Sequence, residues 1–244
     1  MRFLICDLGN TRTKIALYND DLLIKQAILN ENNPDAFARL ICSSGFNHTD
    51  AAIVSSVSHD TTSFVERITA GRVITLTEHT LLPLINEYKT PSTLGNDRIA
   101  GAIGGAALYP GNDILVIDLG TAITYDFVEK GKIYKGGGIS PGINMRFKSL
   151  NAFTMRLPLL TPSAEAPLIG TTTSGAIGSG VMNGCRAEVS GIIEAYRLLY
   201  PKIKIILTGG DLIYFEKMLK NNIFANPNLI IWGLKQILTY NLEK

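Results

Sequence analysis

The chain has 244 residues, of which 46% are hydrophobic and 18% are charged, so it can fill two hydrophobic cores and is too apolar to be disordered. Its formal net charge of +2, without a block of Lys or Arg, argues against a nucleic-acid partner. The amino terminus does not read as a signal peptide, and no apolar run reaches the length of a membrane span. Three widely spaced cysteines, Cys6, Cys42 and Cys185, indicate reduced thiols, so we expect a cytoplasmic protein that does not contact a membrane.

The first half of the chain alternates apolar strands with helices. Strands are predicted at residues 2–8, 13–19, 21–26, 51–57 and 73–76. Helices are predicted at residues 34–42 and 61–69, and from residue 95 to about residue 109. Asn33 suits the cap of the first helix because its side chain can accept hydrogen bonds from backbone N–H groups, and Pro34 suits the first helical position.

The second half repeats this order. Strands are predicted at residues 113–118, 122–129, 132–134 and 202–207, and a glycine-rich segment follows the third of them at residues 136–142. Helices are predicted at residues 143–152, 173–200 and 230–242, with one more after Gly209-Gly210-Asp211. The alternation predicts an α/β protein with mixed sheets and two domains, residues 1–112 and 113–244. The last helix, about residues 230–244, can also pack on the first domain.

The most informative pattern is an Asp-x-Gly turn that follows an apolar strand in each half. The two copies are Asp7-Leu8-Gly9-Asn10-Thr11 and Asp118-Leu119-Gly120-Thr121. Gly9 lets backbone N–H groups approach a phosphate, Lys14 adds a positive charge, and Asp7 can bind Mg²⁺ or its waters. Either turn alone also fits a plain β-hairpin. Together they predict two carboxylates that face each other across a cleft for a nucleoside triphosphate and its metal ion.

Gly95-Asn96-Asp97-Arg98 opens a helix and has two interpretations. In the structural one, Asn96 caps the helix, Asp97 favours the helix dipole from the first turn, and Arg98 is solvated. In the functional one, Asp97 is a general base and Arg98 holds a substrate carboxylate through two hydrogen bonds. Gly209-Gly210 likewise fits either close approach of an aromatic base or a plain strand-to-helix turn.

Several common catalytic signatures do not occur in the sequence. There is no Walker-type phosphate loop and no Gly-x-Gly-x-x-Gly after a strand. His48, His59 and His79 lack metal-ligand spacing. Residues 138–142 match the letters of a Gly-x-Ser-x-Gly nucleophile elbow, but Pro141 has no N–H for the oxyanion hole. Hydrolase triads and zinc chemistry are therefore disfavoured.

Five ordered motifs resemble one family. They are Asp-x-Gly-Asn-Thr-x-x-Lys at 7–14, Tyr-x-x-Pro-x-x-Leu-Gly-x-Asp-Arg at 88–98, Asp-x-Gly-Thr-Ala-x-Thr-x-Asp at 118–126, Gly-Gly-x-Ile-x-Pro-Gly at 136–142 and Gly-x-x-Thr at 170–173. The chain resembles the type III pantothenate kinases of the acetate and sugar kinase/Hsc70/actin superfamily, although Thr90 stands where the family often has Asn. The resemblance implies two duplicated ribonuclease H-like (actin-like) domains with mixed five-stranded sheets flanked by helices.

The resemblance also implies an activity, the ATP-dependent phosphorylation of pantothenate to 4'-phosphopantothenate at the start of coenzyme A biosynthesis. The residues that would bind ATP are Asp7, Leu8, Gly9, Asn10, Thr11, Arg12, Thr13, Lys14 and Thr121. Asp97 would accept the proton of the pantothenate hydroxyl, and the other pantothenate contacts would be Tyr88, Gly95, Asn96, Arg98 and Thr173. Asp118 would bind a monovalent cation, K⁺ or NH₄⁺, and Asp7 would bind Mg²⁺ through water.

Family members are homodimers with pantothenate bound near the subunit interface, so the resemblance implies a homodimer. Two alternatives stay open. One is another small-molecule kinase of the superfamily, acting on a sugar or acetate, although Arg98 beside Asp97 favours a substrate with a carboxylate. The other is a non-catalytic accessory factor in transcription regulation, which the near-neutral charge disfavours.

Overall fold

The computed structural model describes residues 1–9, 11–30, 33–46, 48–55, 59–218 and 223–244. The strands are β1 (Arg2–Leu8), β2 (Thr13–Asn19), β3 (Leu22–Leu29), β4 (Ala51–Ser55), β5 (Val73–Thr75), β6 (Ile85–Asn86), β7 (Ile114–Leu119), β8 (Ala122–Glu129), β9 (Ile133–Pro141), β10 (Lys204–Thr208) and β11 (Ile223–Ala225). The helices are α1 (Pro34–Ser43), α2 (His59–Ile68), α3 (Asn96–Leu108), α4 (Ile143–Ala152), α5 (Thr173–Leu199) and α6 (Leu229–Leu242), with 3₁₀ turns at Pro91–Thr93 and Leu212–Met218.

The chain forms two compact units. The first consists of Met1–Pro110, Lys132–Tyr134 and Asn228–Lys244, and the second of Gly111–Gly131 and Lys135–Pro227. Among the described residues, none of the helices combines the length and the apolar composition that a membrane span requires.

The first unit is built on a five-stranded mixed sheet with the order β3-β2-β1-β4-β5. Strand β1 is antiparallel to β2 and parallel to β4, and six of its seven residues are buried. Such a continuous apolar strand needs cover on both faces of the sheet. Helices α1 and α2 supply core residues such as Phe37 and Val65 next to Leu4 and Cys6. Helix α6 packs against β1 and β4.

Helices α3 and α6 cross at two glycines of the first unit. A methyl group built on Gly233 would lie 1.8 Å from the carbonyl oxygen of Ala100, and one built on Gly104 would lie 2.4 Å from that of Leu229. The backbones therefore touch directly, which only glycine permits. At the far end of α6, the Asn241 amide donates to the carbonyl of Leu81 at 2.8 Å. The crossing fixes α3, whose first turn contains the predicted base Asp97.

The second unit repeats the topology of the first. Its strands have the order β9-β8-β7-β10-β11, and β7 is antiparallel to β8 and parallel to β10, as β1 is to β2 and β4. Helices α4 and α5 cover this sheet through buried residues such as Phe147 and Ile177. In the first unit, strand β6 pairs in parallel with Ile133 and Tyr134, the first two residues of β9, which belong to the same unit.

Three local predictions were wrong. The strand predicted at residues 132–134 continues as β9 through the glycine-rich segment to Pro141, and a methyl group on Gly137 would lie 1.7 Å from the carbonyl oxygen of Tyr125. Gly137 therefore serves close strand packing. The segment after Asp211 is a 3₁₀ turn followed by β11, not an α-helix. Asn96 does not cap α3, because Gly95 occupies the cap position.

Candidate active site

The first unit contains a cleft of about 390 Å³. Its floor is the end of β1 and the turn that follows, and its walls come from the end of β4, the segment after β5 and the start of α3. The lining residues are Asp7, Leu8, Gly9, Ser55, Leu76, Thr77, Glu78, Leu82, Asn86, Pro91, Ser92, Leu94, Gly95, Asn96, Asp97 and Ile99. The two aspartates that the sequence predicts as phosphate-side ligand and general base therefore line the same cleft.

Asp7 is held between two neighbouring strands. In the sheet it lies opposite Lys14 of β2 and Ser55 of β4, and the residue is only 8% exposed. Burial raises the pKa of Asp7 to about 6. The Lys14 ammonium and a hydrogen bond with the Ser55 side chain lower this pKa, whereas the charge of Asp97 raises it. The positive charge near the Asp7 carboxylate is too small to compensate for its burial. A carboxylate in this environment is suited to bind a cation.

The turn after Asp7 is tight. The Gly9 N–H donates to the carbonyl of Arg12 at 3.0 Å, and a methyl group on Gly9 would lie 3.1 Å from the same oxygen. A side chain at this position would crowd the turn, which agrees with the predicted need for glycine. Asn10, which the sequence also assigns to ATP binding, lies outside the described residues.

The other predicted ATP-binding residues of this turn divide by exposure. Thr11 and Arg12 are exposed, and Lys14 is half-buried. Leu8 belongs to the hydrophobic core of the first unit, and Thr13 is buried. The backbone of the turn and the side chains of residues 11, 12 and 14 are therefore accessible to a ligand. The buried residues Leu8 and Thr13 attach the turn to the core of the first unit.

Asp97 is exposed in the first turn of α3, and its carboxylate is oriented by the backbone. Its Oδ1 accepts a hydrogen bond from the Arg98 N–H at 2.8 Å. A methyl group on Gly95 would lie 2.5 Å from this oxygen, so any larger residue at this position would displace the carboxylate. The Asn96 amide donates to the carbonyl of Leu76 at 3.1 Å and so connects the start of α3 to the segment that follows β5.

Arg98 is buried, so the interpretation as a solvated arginine was wrong. It is 6% exposed, and its guanidinium carbon lies 5.6 Å from the centre of the Tyr88 ring. The Tyr88 ring lies 6.1 Å from the ring of Tyr134. The backbone N–H of Tyr88 donates to the Asn86 side chain at 3.0 Å. The described lining of the cleft includes Asn86 but not Tyr88 or Arg98.

The second Asp-x-Gly turn lies in the second unit. Asp118 is half-buried at the end of β7 and pairs with Thr208 of β10. Gly209 has φ +100°, and a methyl group there would lie 2.4 Å from Asp118 Oδ1, so only glycine fits. Thr208 Oγ1 is buried and has no hydrogen-bond partner among the described residues. Gly120 N–H donates to the carbonyl of Ala122 at 3.1 Å.

Two further predicted residues of the second unit are exposed. Thr121 follows Gly120 in the turn, and Thr173 is the first residue of α5. The Thr172 hydroxyl caps α5 by accepting a hydrogen bond from the Gly175 N–H at 3.0 Å. Within the described part of the chain, no group of three or more His, Cys, Asp or Glu side chains is placed to bind a metal ion.

Sequence reasoning missed Ser55, Glu78 and Asn86, which all line the cleft. Ser55 ends the strand beside β1, and the ends of neighbouring parallel strands meet at one edge of a sheet. That rule identifies Ser55 once the strand order is known. Glu78 lies in a turn and Asn86 in the two-residue strand β6, and neither segment has a periodic pattern that identifies a lining residue.

The chain is similar to known proteins over most of its length. The family model described as type III pantothenate kinase matches residues 3–195. A type III pantothenate kinase from Cytophaga hutchinsonii is 48% identical over 189 residues, which cover 78% of this chain and 80% of that one. Another, from Phocaeicola vulgatus, is 40% identical over 238 residues, which cover 98% of both chains.

Solved structures show the same architecture. One, described as a conserved Baf family transcriptional activator from Campylobacter jejuni, matches with a TM-score of 0.61 and 26% identity over 99% of this chain and 100% of that one. A Listeria monocytogenes protein described as an N-acetylmannosamine kinase matches with a TM-score of 0.55 at 12% identity, over 99% and 100% of the two chains. The second likeness concerns the fold alone, and it confirms the predicted actin-like α/β fold. Given the family model and relatives that align over nearly its whole length, the chain belongs to the type III pantothenate kinase family.

Proposed function

We propose that the chain is an ATP-dependent kinase that phosphorylates pantothenate to 4'-phosphopantothenate, the first step of coenzyme A biosynthesis. Membership of the family supports the reaction and both substrates. The observation that carries the proposal is that Asp7 and Asp97 line one cleft of the first unit. Phosphoryl transfer from a nucleotide needs a group for the metal-bound phosphates and a group for the acceptor hydroxyl, and this cleft contains one carboxylate for each task.

Asp97 is the proton acceptor in this proposal. An alcohol becomes a stronger nucleophile as its proton leaves, and a carboxylate can take that proton while the new P–O bond forms. Asp97 suits the role because its side chain is exposed and the Arg98 N–H fixes one carboxylate oxygen at 2.8 Å. A carboxylate held in one orientation loses less conformational entropy when it contacts the hydroxyl.

Asp7 and the turn that follows it are proposed to bind the phosphates of ATP. The turn contributes backbone N–H groups around Gly9 and the side chains of Thr11, Arg12 and Lys14, and Asn10 belongs to the same proposal. The raised pKa of Asp7 supports a cation beside it, because a buried carboxylate with too little compensating charge gains from one. Mg²⁺, held by Asp7 through water, would neutralise charge on the transferred phosphoryl group.

In the second unit, Thr121 is proposed to contact an ATP phosphate and Asp118 to bind a monovalent cation, K⁺ or NH₄⁺. The cation proposal is supported by the buried Thr208 Oγ1, which has no hydrogen-bond partner among the described residues and pairs in register with Asp118. A carboxylate and a hydroxyl oxygen are hard donors, which suit such an ion.

Pantothenate is proposed to contact Gly95, Asn96 and Asp97 at the start of α3, and also Tyr88, Arg98 and Thr173. The proposal is supported by the buried Arg98, which places a permanent positive charge next to this helix start and so favours an acceptor with a carboxylate.

A homodimer is the proposed assembly. Several large apolar side chains between residues 153 and 169 are exposed, including Phe153 at 89% and Met155 at 102%. Such a concentration of apolar surface is typical of an interface. Light scattering should then give twice the mass of one chain.

The three free thiols support a reducing compartment, and we place the enzyme in the cytoplasm.

An assay of ADP release with pantothenate, several sugars and acetate as acceptors tests the proposed reaction. We expect release with pantothenate alone, in the presence of Mg²⁺ and of K⁺ or NH₄⁺. Equal release with a sugar or acetate would favour another kinase of the superfamily. Absence of release with every acceptor would favour the transcriptional role, which the likeness to the Campylobacter jejuni structure brings into consideration.

A further inference from the structure

The end of strand β9 lies directly against the second Asp-x-Gly turn. The Gly142 N–H donates to the carbonyl of Thr121 at 3.1 Å. A methyl group built on Gly142 would lie 2.2 Å from the carbonyl oxygen of Gly120 and 2.4 Å from that of Thr121. There is no space between the two backbones, so whatever fixes residues 140–142 also fixes the turn.

Arg146 is the side chain that fixes those residues. It lies one helical turn into α4, and its Nε donates to the carbonyl of Pro141 at 2.8 Å. Its Nη2 donates to Ser140 Oγ at 2.9 Å and to Glu188 Oε2 at 2.6 Å. Because the guanidinium is planar and rigid, these three contacts hold the end of β9 in one orientation relative to α5, which contains Glu188.

Glu188 connects the same cluster back to strand β8. Its Oε1 accepts a hydrogen bond from the hydroxyl of Tyr125 at 3.0 Å, and Tyr125 is 4% exposed. Burial alone would raise the pKa of Glu188, but hydrogen bonds from Arg146, Ser140 and Tyr125 outweigh it and lower this pKa. The carboxylate therefore stays ionised at neutral pH, and the half-buried pair keeps both charges.

We infer that Arg146 is a positioning residue for the Gly120-Thr121 turn, acting through the backbone of Pro141 and Gly142 with Glu188 as its anchor. The inference rests on the proposed function, in which Thr121 contacts an ATP phosphate. Arg146 itself touches no part of that turn in the contacts described above, so its effect on ATP is transmitted by Gly142. The residues that bind pantothenate in the first unit are outside this chain of contacts.

The test compares Arg146→Met with Arg186→Met in the full-length protein. Arg186 is a matched control because its guanidinium also joins backbone segments of the second unit, donating to the carbonyls of Tyr214 at 3.1 Å and Ala164 at 2.6 Å. Both variants remove an arginine that joins separate segments of the second unit, so both are expected to have a lower free energy of unfolding than the wild type. Only Arg146→Met should accelerate amide hydrogen exchange in residues 118–124, and it should weaken ATP binding by about 10-fold in calorimetry, with the KM for pantothenate unchanged.

Arg146→Lys keeps the charge but cannot make all three contacts, and it should give an intermediate ATP affinity. Unchanged exchange in residues 118–124 of Arg146→Met would overturn the inference, as would an equal effect of Arg186→Met on exchange there. Faster exchange with unchanged ATP affinity would instead remove Thr121 from the ATP site, which is a failure of the proposed function and not of the positioning.

Discussion

Replacement of Gly233 by alanine tests how closely helices α3 and α6 cross. The added methyl carbon would lie 1.8 Å from the carbonyl oxygen of Ala100 and 2.9 Å from the nitrogen of Gly104, where real contacts stay above about 3.0 Å. The helices must therefore separate by more than ~1 Å. Overpacking of this kind costs about 1–3 kcal/mol or more, whereas the higher helix propensity of alanine offsets about 1 kcal/mol.

The free energy of unfolding of Gly233→Ala should therefore fall, and its Tm should fall by about 2–4 °C per kcal/mol for a chain of this length. Because α3 begins at the residue before Asp97, kcat should also fall, by up to about 100-fold for a displacement near 1 Å. Thermal melts monitored by circular dichroism and the ADP-release assay measure the two effects.

Gly191→Ala provides the control. Gly191 lies in helix α5 and has no atom within 4 Å of the position of an added methyl group. This variant keeps the gain in propensity without the clash, so its Tm should equal or exceed that of the wild type. A Gly233→Ala protein that melts as high as Gly191→Ala would refute the close crossing.

Two further predictions concern the aspartates of the cleft. Asp97→Asn should lower turnover by about 10²–10⁴-fold while ATP affinity is retained, and Asp113→Asn, whose carboxylate accepts the Lys130 N–H at 2.9 Å, should keep turnover. Near-normal turnover in Asp97→Asn would remove it from the role of base. Burial raises the pKa of Asp7 from 3.8 to about 6, so its ionisation opposes folding at neutral pH and not below about pH 4. Asp7→Asn should therefore abolish turnover yet gain up to about 3 kcal/mol of stability at pH 7.5, a gain that disappears as the pH falls to 4. Denaturation at both pH values measures it, and an equal gain at both would contradict the assigned pKa.

Elements with a clear local pattern could be predicted from the sequence. Strand β8 and helix α4 have the predicted bounds, and Asn33 caps α1 by accepting hydrogen bonds from the N–H groups of Asp35 and Ala36, as its position suggested. In these cases periodicity and cap chemistry act within a few residues, so the neighbouring sequence contains the information.

Strand β9 shows where local reasoning fails. Its three consecutive glycines have a low strand propensity and are typical of a loop. They form a strand because Gly137 packs against the backbone of Tyr125, a tertiary contact that the sequence of the segment does not reveal. The short strand β11 was missed for a similar reason, since its three residues are defined only by pairing with β10.

The candidate site was predictable where chemistry and spacing coincide. Asp7 and Asp97 were identified as functional from their motifs, and both line the cleft. The hydrogen bond from Asn96 to the carbonyl of Leu76 was not predictable, because it joins the first residue of α3 to a residue 20 positions earlier in the chain. The burial of Arg98 beneath Tyr88 likewise depends on packing that no motif specifies.

The first unit includes residues 228–244, which are synthesised after the second unit, and this governs the order in which the two units can fold on the ribosome. Until residues 228–244 have been synthesised, the face of α3 around Ala100 and Gly104 lacks the helix that covers it, although the second unit has already been translated. The first unit can therefore complete its core only after the second unit has been synthesised. Loss of residues 228–244 alone would leave the helix that starts beside Asp97 without its support.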